Sequence, residues 1–474
     1  MAPPPDAPLA DQPTRASAGR PAEDRPGGLL EIDAAVVDDF TVLLANEQRG
    51  MVLNLVADLY PADVALLLRH LPFEEARRLF RWLPPELAGD TVAELEDTFR
   101  ATLLEDLPQD DLTQLLDALD TDDAADVLAD LPETLALDLL PTLEDTEDLT
   151  ELLDYGEETA GGLMAREVVT IRPDWTFAEA TEQVRRASDE VDELYTAYVT
   201  DDGILVGVLS LKQLLLSPAD VLVRDVMDPD FISVSTDVDQ EEVGRIVQRY
   251  DLVSLPVLDD DGHLMGRITI DDVVDVIRDE AEEDIQIMSG LTGDEGTSDT
   301  VFRISRGRLP WLVVGLIGSG LSGSVITTFE GALQQAVVLA TFIPIVTAMG
   351  GNAAVQSAAI AVQGLSSGEL WVDDIFKRVG KEIAVATVNG IVVAAVLCTA
   401  VAVFNLGDPG LLVATLGLTM LTISIMATTN GALIPFVLTK FGIDPASAMG
   451  PFVTTLNDIL GLTVYFLIAS YLYL

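Results

Sequence analysis

The chain has 474 residues, with 79 acidic and 26 basic side chains and a formal net charge of −53. Such acidity excludes nucleic acid as a partner, because a phosphate backbone needs clustered Lys and Arg. It suits cations, or simply a well-solvated surface. Cys398 is the only cysteine, which excludes an intramolecular disulfide and a cysteine zinc site. His70 and His263 are too few and too scattered for a histidine metal centre. With no Ser/His/Asp constellation and no Gly-rich phosphate loop before a Lys, an enzyme is not expected.

The charge is unevenly spread. Residues 1–308 carry 71 acids and 22 bases, whereas 309–474 carry 8 and 4. The expectation is a large acidic soluble region followed by a membrane region. Residues 1–28 are rich in Pro, Ala, Asp and Arg, lack an apolar core, and read as a disordered tail rather than a signal peptide. Residues 29–158 show Leu and Ala at helical spacing, broken repeatedly near Leu-Pro, as in HLPFEEARRLFRWLP and DLPQDDLTQLLDAL. Proline ends a helix, so short helices of roughly three turns are predicted. They form an acidic helical-repeat domain or a plain helical bundle.

From Gly161 the pattern changes. Strand-like runs at 168–171, 197–200 and 204–209 alternate with helical runs at 177–188 and 211–216. The arrangement repeats after about sixty residues: the run beginning at Met164 matches the run beginning at Met227, and Gly207 matches Gly266. Each copy has an Asp-Gly turn, at Asp202-Gly203 and Asp261-Gly262. This resembles a tandem pair of CBS domains, placed at 159–222 and 223–282. The resemblance implies an adenine nucleotide such as ATP between the copies, held through a Ser/Thr-x-x-Asp signature. The second copy keeps that signature as Thr269 and Asp272; the first has Ser210 but Gln213. A linker or plug helix and connector spans 271–308, helical to about Met288 and then a Gly/Ser/Asp loop.

Five apolar segments come next, roughly 309–327, 333–364, 383–404, 411–438 and 446–473. About 20 apolar residues cross a bilayer. The second segment would be ~48 Å long at ~1.5 Å per residue, so it tilts, projects, or breaks at Pro344 or Gly350-Gly351. Fold class is therefore mixed: an N-terminal all-α region, tandem α/β domains, and a C-terminal all-α domain of five membrane helices at 309–474. Arg303, Arg306, Arg308, Lys377, Arg378, Lys381 and Lys440 all fall on one side of the predicted spans. The positive-inside rule then puts the N-terminus in the cytoplasm and the C-terminus outside the cell membrane.

Asp458 lies within the last segment, PFVTTLNDILGLTVYFLIASYLYL. A carboxylate at that depth is costly and faces protein or a watery path. Thr454, one turn earlier, and Asn457 add oxygens. Asn352 and Gln356 are four apart, on one helical face, beside Gly350-Gly351, which permits close helix approach. Oxygen donors of this kind suit Mg²⁺, a small hard cation that sheds water slowly. The alternative for Asp458 is an interhelical hydrogen bond or ion pair, yet no Lys or Arg lies deep in a span. One carboxylate per chain is thin for a dication path, so a homodimer with two Asp458 at a shared axis is expected.

Order, motifs and most of the length resemble the MgtE family of magnesium channels and transporters. The resemblance rests on Ala160-Gly-Gly-Leu-Met164, on Gly350-Gly-Asn352 with Gln356-Ser357, and on Asp444-Pro-Ala with Thr454-Thr-Leu-Asn-Asp458. The chain departs from the family pattern at Ala354 and Val355. The resemblance implies a homodimer embedded in membrane lipid, Mg²⁺ as substrate and regulator, and Asp458 as the main selectivity carboxylate. It implies regulatory Mg²⁺ at Asp122, Asp126, Asp239, Glu241, Asp251, Asp272, Asp275, Glu280, Glu283 and Asp444. From the residues themselves, Asp272, Asp275, Glu280 and Glu283 fall within three helical turns and Asp122 and Asp126 form an i,i+4 pair. Such like charges repel, and a dication reverses that; a solvated helix face is the plain alternative. A passive channel, a carrier coupled to Na⁺ or H⁺, and a non-transporting sensor all remain open at this level. So does selectivity among Mg²⁺, Co²⁺, Mn²⁺ and Ni²⁺.

Overall fold

A computed structural model describes residues 32–105, 107–187, 194–291, 301–371 and 374–474. The expected tail at 1–28 and the loop at 292–300 lie outside them. The chain divides into two compact units, the first ending at Leu119 and the second running from Asp120 to Leu474.

The first unit is a series of short helices: α1 (Ala34–Ala45), α2 (Arg49–Val56), α3 (Pro61–His70), α4 (Phe73–Phe80), α5 (Pro85–Ala93), α6 (Asp97–Leu104) and α7 (Gln109–Leu116). Most are nearer two turns than the three expected. The reason is that proline opens the next helix as well as closing the last: Pro72, Pro84 and Pro108 are the N-cap residues of α4, α5 and α7. Its missing N–H costs nothing there, since first-turn donors have no intrahelical partner. Leu44, Val64, Leu67, Leu68, Leu79, Leu103, Leu104 and Leu112 are buried.

The second unit opens with α8 (Thr121–Asp130), α9 (Glu133–Leu139) and α10 (Thr146–Leu152). Two matching α/β copies come after it. The first holds β1 (Thr170–Ile171), α11 (Phe177–Ala187), β2 (Thr196–Asp201), β3 (Ile204–Ser210) and α12 (Leu211–Leu216). The second holds β4 (Val234–Ser235), α13 (Gln240–Tyr250), β5 (Ser254–Leu258), β6 (Leu264–Thr269) and α14 (Ile270–Met288). In each sheet the first pair is parallel and the second antiparallel. The copies clasp reciprocally. Ala165, before the first sheet, bridges Arg267 on β6, and Asp228, before the second, bridges Val208 on β3. Gly207 and Gly266 are required at this clasp. A Cβ on Gly207 would meet Met227 Sδ at 2.8 Å, and one on Gly266 would meet the Ala165 carbonyl at 2.6 Å. The Met and Gly positions that repeat in the sequence are therefore the contact itself. Tyr198 Oη and Ser254 Oγ, 2.6 Å apart, join the two sheets at the centre.

Five helices are long and apolar enough to cross a membrane: Val301–Thr328, Val337–Ser366, Ile375–Phe404, Pro409–Lys440 and Phe452–Leu472. They comprise α15 (Val301–Thr328), α17 (Ile343–Ser366), α18 (Ile375–Phe404), α19 (Pro409–Lys440) and α20 (Pro451–Leu472), with short α16 (Glu330–Gln335) after the first. The second segment does not break at Gly350-Gly351, which lies inside continuous α17. The break precedes Pro344: Ala336 leaves helical geometry, a 3-10 turn covers Val337–Phe342, and Pro344 sits in the first turn of α17. Tyr465 Oη donates to the Leu339 carbonyl at 2.8 Å, giving that irregular stretch a buried partner. The basic residues assigned to loops are helical instead. Arg303, Arg306 and Arg308 extend α15, and Lys377, Arg378 and Lys381 form the start of α18. There Arg378 pairs with Glu382 one turn on, which supports a polar helical extension.

Helix approach in the membrane relies on small residues. A Cβ on Gly431 would run into the Ala354 carbonyl, which is backbone and cannot swing aside. Gly431→Ala should lower the melting temperature of the purified full-length protein, overpacking costing about 1–3 kcal/mol. Gly380→Ala, with nothing within 4 Å of the new methyl, should not. Equal melting of both variants by scanning fluorimetry would contradict this packing.

Candidate ion path and regulatory acid clusters

In the membrane region α20 carries Thr454, Asn457 and Asp458. Asn457 is only 1% exposed. Its Nδ2 donates to the Val453 carbonyl at 2.8 Å, and its Oδ1 accepts from Asn430 Nδ2 on α19 at 3.3 Å. This amide pair fixes the rotation of α20, and thereby the direction taken by its neighbour Asp458. Asp458 is half-buried, and among the described residues no Lys or Arg pairs with it. The ion-pair alternative for Asp458 therefore finds no support within one chain.

On α17, residues three and four apart divide cleanly between two faces. Gly350, Ala354, Ser357 and Ala358 are buried, whereas Asn352 and Gln356 are exposed. The buried face meets α19, where Ala427 joins Ala354, and α20, where Val453 closes the same cluster. Two amides therefore point away from the protein along a membrane helix. Asn430 escaped the sequence reading although it ends a polar run, Thr428-Thr429-Asn430. That run could have flagged it.

The acidic residues gather at two places. At the first, α8 meets the beginning of α14. Asp122, half-buried, lies in the field of Asp123, Asp272 and Asp120. Burial first, and then those charges, hold its carboxyl well above the usual range. Asp272 is pushed up to about 6, mainly by burial, against the opposing pull of its Thr269 hydrogen bonds. The α8–α10 segment is docked here through Thr121, whose N–H and Oγ1 donate to Glu167 at 3.1 and 3.0 Å. Arg166 reinforces it, pairing with Asp148 at 3.0 Å and Glu151 at 3.1 Å. Asp126 lies one turn beyond Asp122 and is exposed.

At the second place, the N-terminus of α13 meets the far half of α14 and the turn between α19 and α20. Asp239 caps α13, accepting from Glu241 N at 3.0 Å. Glu241 pairs with Arg245 at 2.6 Å. Glu280 accepts from Gln240 at 2.6 Å, and burial followed by Glu241, Asp239 and Glu158 raises it. Asp284, which the acidic helical pattern of Asp272, Asp275, Glu280 and Glu283 does not include, is pushed up to about 6 by burial and then by Asp444 and Glu241. Asp444 caps the 3-10 turn Pro445–Ala448, accepting from Ala446 N at 2.9 Å. The contact is also apolar: Ile287 and Met288 of α14 pack on Ala358, Val362, Ala446 and Met449.

The remaining predicted acids are placed differently. Glu283 is half-buried on α14, and Asp275 is exposed and paired with Arg278 at 3.0 Å. Asp251 caps the opposite end of α13, in left-handed geometry at φ 53°. It stands about 15 Å of helix from Glu241 and about 18 Å from Asp239, and so does not share their site. Thr269 and Asp272 form a capping box on α14, with Thr269 Oγ1 donating to Asp272 at 2.5 Å. Ser210 and Gln213 build the same box on α12. The Ser/Thr-x-x-Asp pattern thus has a helix-start role of its own.

Among the described residues, no three of the predicted regulatory acids place ligand oxygens within 4.8 Å of one another. Asp259, Asp261 and His263 do so in the β5–β6 turn, which the sequence marks as an Asp-Gly turn and not as a metal site. Their own hydrogen bonds close that turn, with Asp259 accepting from Asp261 N and His263 N.

Comparison with known proteins fits this layout. The divalent cation transporter family matches residues 343–468, the MgtE intracellular N domain 59–158, and CBS domains 160–220 and 223–279. The chain is 34% identical over 421 residues to a magnesium transporter MgtE of Bacillus subtilis, covering 88% of this chain and 93% of the relative. It is 36% identical over 328 residues to one of Enterococcus faecalis, covering 69% and 72%. Among solved structures it resembles the cytosolic domain of the Mg²⁺ channel MgtE in complex with ATP, at 32% identity and a TM-score of 0.49, over 52% of this chain and 100% of that one. The chain is a multi-pass membrane protein with five candidate spans, and it belongs to the MgtE family of magnesium transporters.

Proposed function

We propose that two copies of this chain form a channel that admits Mg²⁺ through the cell membrane and that cytoplasmic Mg²⁺ closes it. The carrying observation is Asp458, which has no basic partner among the described residues, together with Asn352 and Gln356, which face outward on a single chain. Polar side chains turned toward hydrocarbon are costly. A second copy around a two-fold axis removes the cost by enclosing them with water, and doubles the carboxylate. Mg²⁺ keeps most of its waters and binds through one or two carboxylates, so two Asp458 with amide and hydroxyl oxygens of Asn352, Gln356 and Thr454 suffice.

The soluble half supplies the control. Asp122 faces Asp272, and Asp284 faces Asp444 and Glu241, so both junctions repel themselves when ionised. Mg²⁺ at either place reverses the sign of that interaction and draws α8, α13, α14 and the α19–α20 turn together. Because Ile287 and Met288 of α14 rest on α17 and on the turn before α20, closure at the acids reaches the helices of the path. The soluble half is cytoplasmic in this reading and the C-terminus outside. A nucleotide at Thr269 and Asp272 would compete with the capping box and with Mg²⁺ for the same carboxylate.

The path reading predicts that Asp458→Asn lowers Mg²⁺ flux into proteoliposomes by about tenfold or more, the rate equivalent of ~1.4 kcal/mol, with unchanged size-exclusion elution. Wild-type flux in that variant would contradict it. The acid clusters predict a pH dependence. Asp272 and Asp284 are raised to about 6 when folded, against ~3.9 unfolded, so the folded protein binds more protons between those values. Their contribution is fully present below about pH 4 and is lost as pH rises through about 6. Without dications, lowering the pH from 7 to 5 should raise the melting temperature, and Asp272→Asn with Asp284→Asn should flatten that dependence. An unchanged slope in the double variant would contradict the assignment.

A further inference from the structure

The C-terminal end of α17 shows how the soluble half grips the second membrane helix. The last carbonyls of a helix lack intrahelical partners. Most here are answered locally: Ser367 N donates to Gln363 at 3.0 Å, Leu370 N to Gly364 at 2.7 Å, and Gly368 N to Leu365 at 3.1 Å. The Ser366 carbonyl is answered from another domain. Arg245 Nε, on α13, donates to it at 2.9 Å across 121 residues of sequence. The rest of the same guanidinium is held by Glu241 at 2.6 Å and Glu242 at 3.0 Å. One turn along α13, Arg249 reaches the next loop: a Cβ on Gly368 would meet its Nη2 at 3.7 Å. Two cations on one face of α13 thus meet the negative end of the α17 dipole. The Asp284 carboxylate of α14 accepts a hydrogen bond from the Ser366 hydroxyl.

We propose that Arg245 is the positioning residue that transmits the state of the second α/β copy to the second membrane helix. The planar fork makes this possible, since Nε faces the helix end while the two Nη atoms face the acids. A shift of α13 on dication binding at Glu241 therefore pulls directly on the end of the helix that carries Asn352 and Gln356. This inference rests on the gating reading and adds the connection that the reading needs.

The test is Mg²⁺ flux in proteoliposomes of full-length protein as Mg²⁺ on the soluble-domain side is varied. Arg245→Ala should raise the half-inhibiting concentration about fivefold or more, in the range of ordinary allosteric couplings. Flux without that Mg²⁺, and the Mg²⁺-induced rise in melting temperature, should stay at wild-type values. Arg245→Lys, which keeps the charge but not the fork, should shift inhibition in the same direction, and it carries the test if the Ala variant does not fold. Unchanged half-inhibition in both variants overturns the link. A shift accompanied by loss of the Mg²⁺-induced melting rise also overturns it, because Arg245 would then act on metal binding. Wild-type flux indifferent to Mg²⁺ on that side removes the gating reading itself, and the link with it.

Discussion

A carboxylate in a bilayer needs water, a counter-charge or a partner chain, and half-buried Asp458 on α20 poses that requirement. No basic side chain among the described residues pairs with it, and the helix bearing it is tied to α19 by the hydrogen bond from Asn430 to buried Asn457. Small residues then decide which faces can touch. Gly431 lets α19 close on Ala354 of α17, which leaves Asn352 and Gln356 on the opposite side of α17. In the proposed dimer one chain builds half of a polar surface and the second copy supplies the other half.

The same reasoning extends into the soluble region with the opposite remedy. There the acids are near water, and their mutual repulsion is modest and adjustable by ions. Raised carboxyls at Asp122, Asp272 and Asp284 mark places where folding has brought like charges together under partial burial. In the proposed gating, a divalent ion bound there acts through the apolar contact of Ile287 and Met288 with α17 and the turn before α20.

Much of this was legible from the residues. The sixty-residue repeat, the Met–Gly correspondence and the apolar segments are local patterns, and each has a direct structural counterpart. Leu-Pro breaks announced short helices but not their length, since proline's tolerance at a helix start is invisible until the next helix is seen. The basic residues at the start of α18 resemble a loop because charge interrupts the apolar run, whereas Arg378 and Glu382 stabilise a helix that extends past that run. Asp284, Asn430 and the reach of Arg245 to Ser366 are products of tertiary packing. A helix face can be read from spacing; the element that will come to rest on it, 121 residues away, cannot.

The proposed ion path requires a wet Asp458 face. Thr454 lies one turn from it on the same face, and the lone Cys398 can be removed, so Thr454→Cys in a Cys398→Ala background isolates the question. With a wet face, a membrane-impermeant, charged methanethiosulfonate labels this cysteine in intact membranes, and Mg²⁺ held at the intact Asp458 slows the reaction. A cysteine there that stays unlabelled, while one in a soluble loop reacts readily, would show a dry helix contact and contradict the ion path.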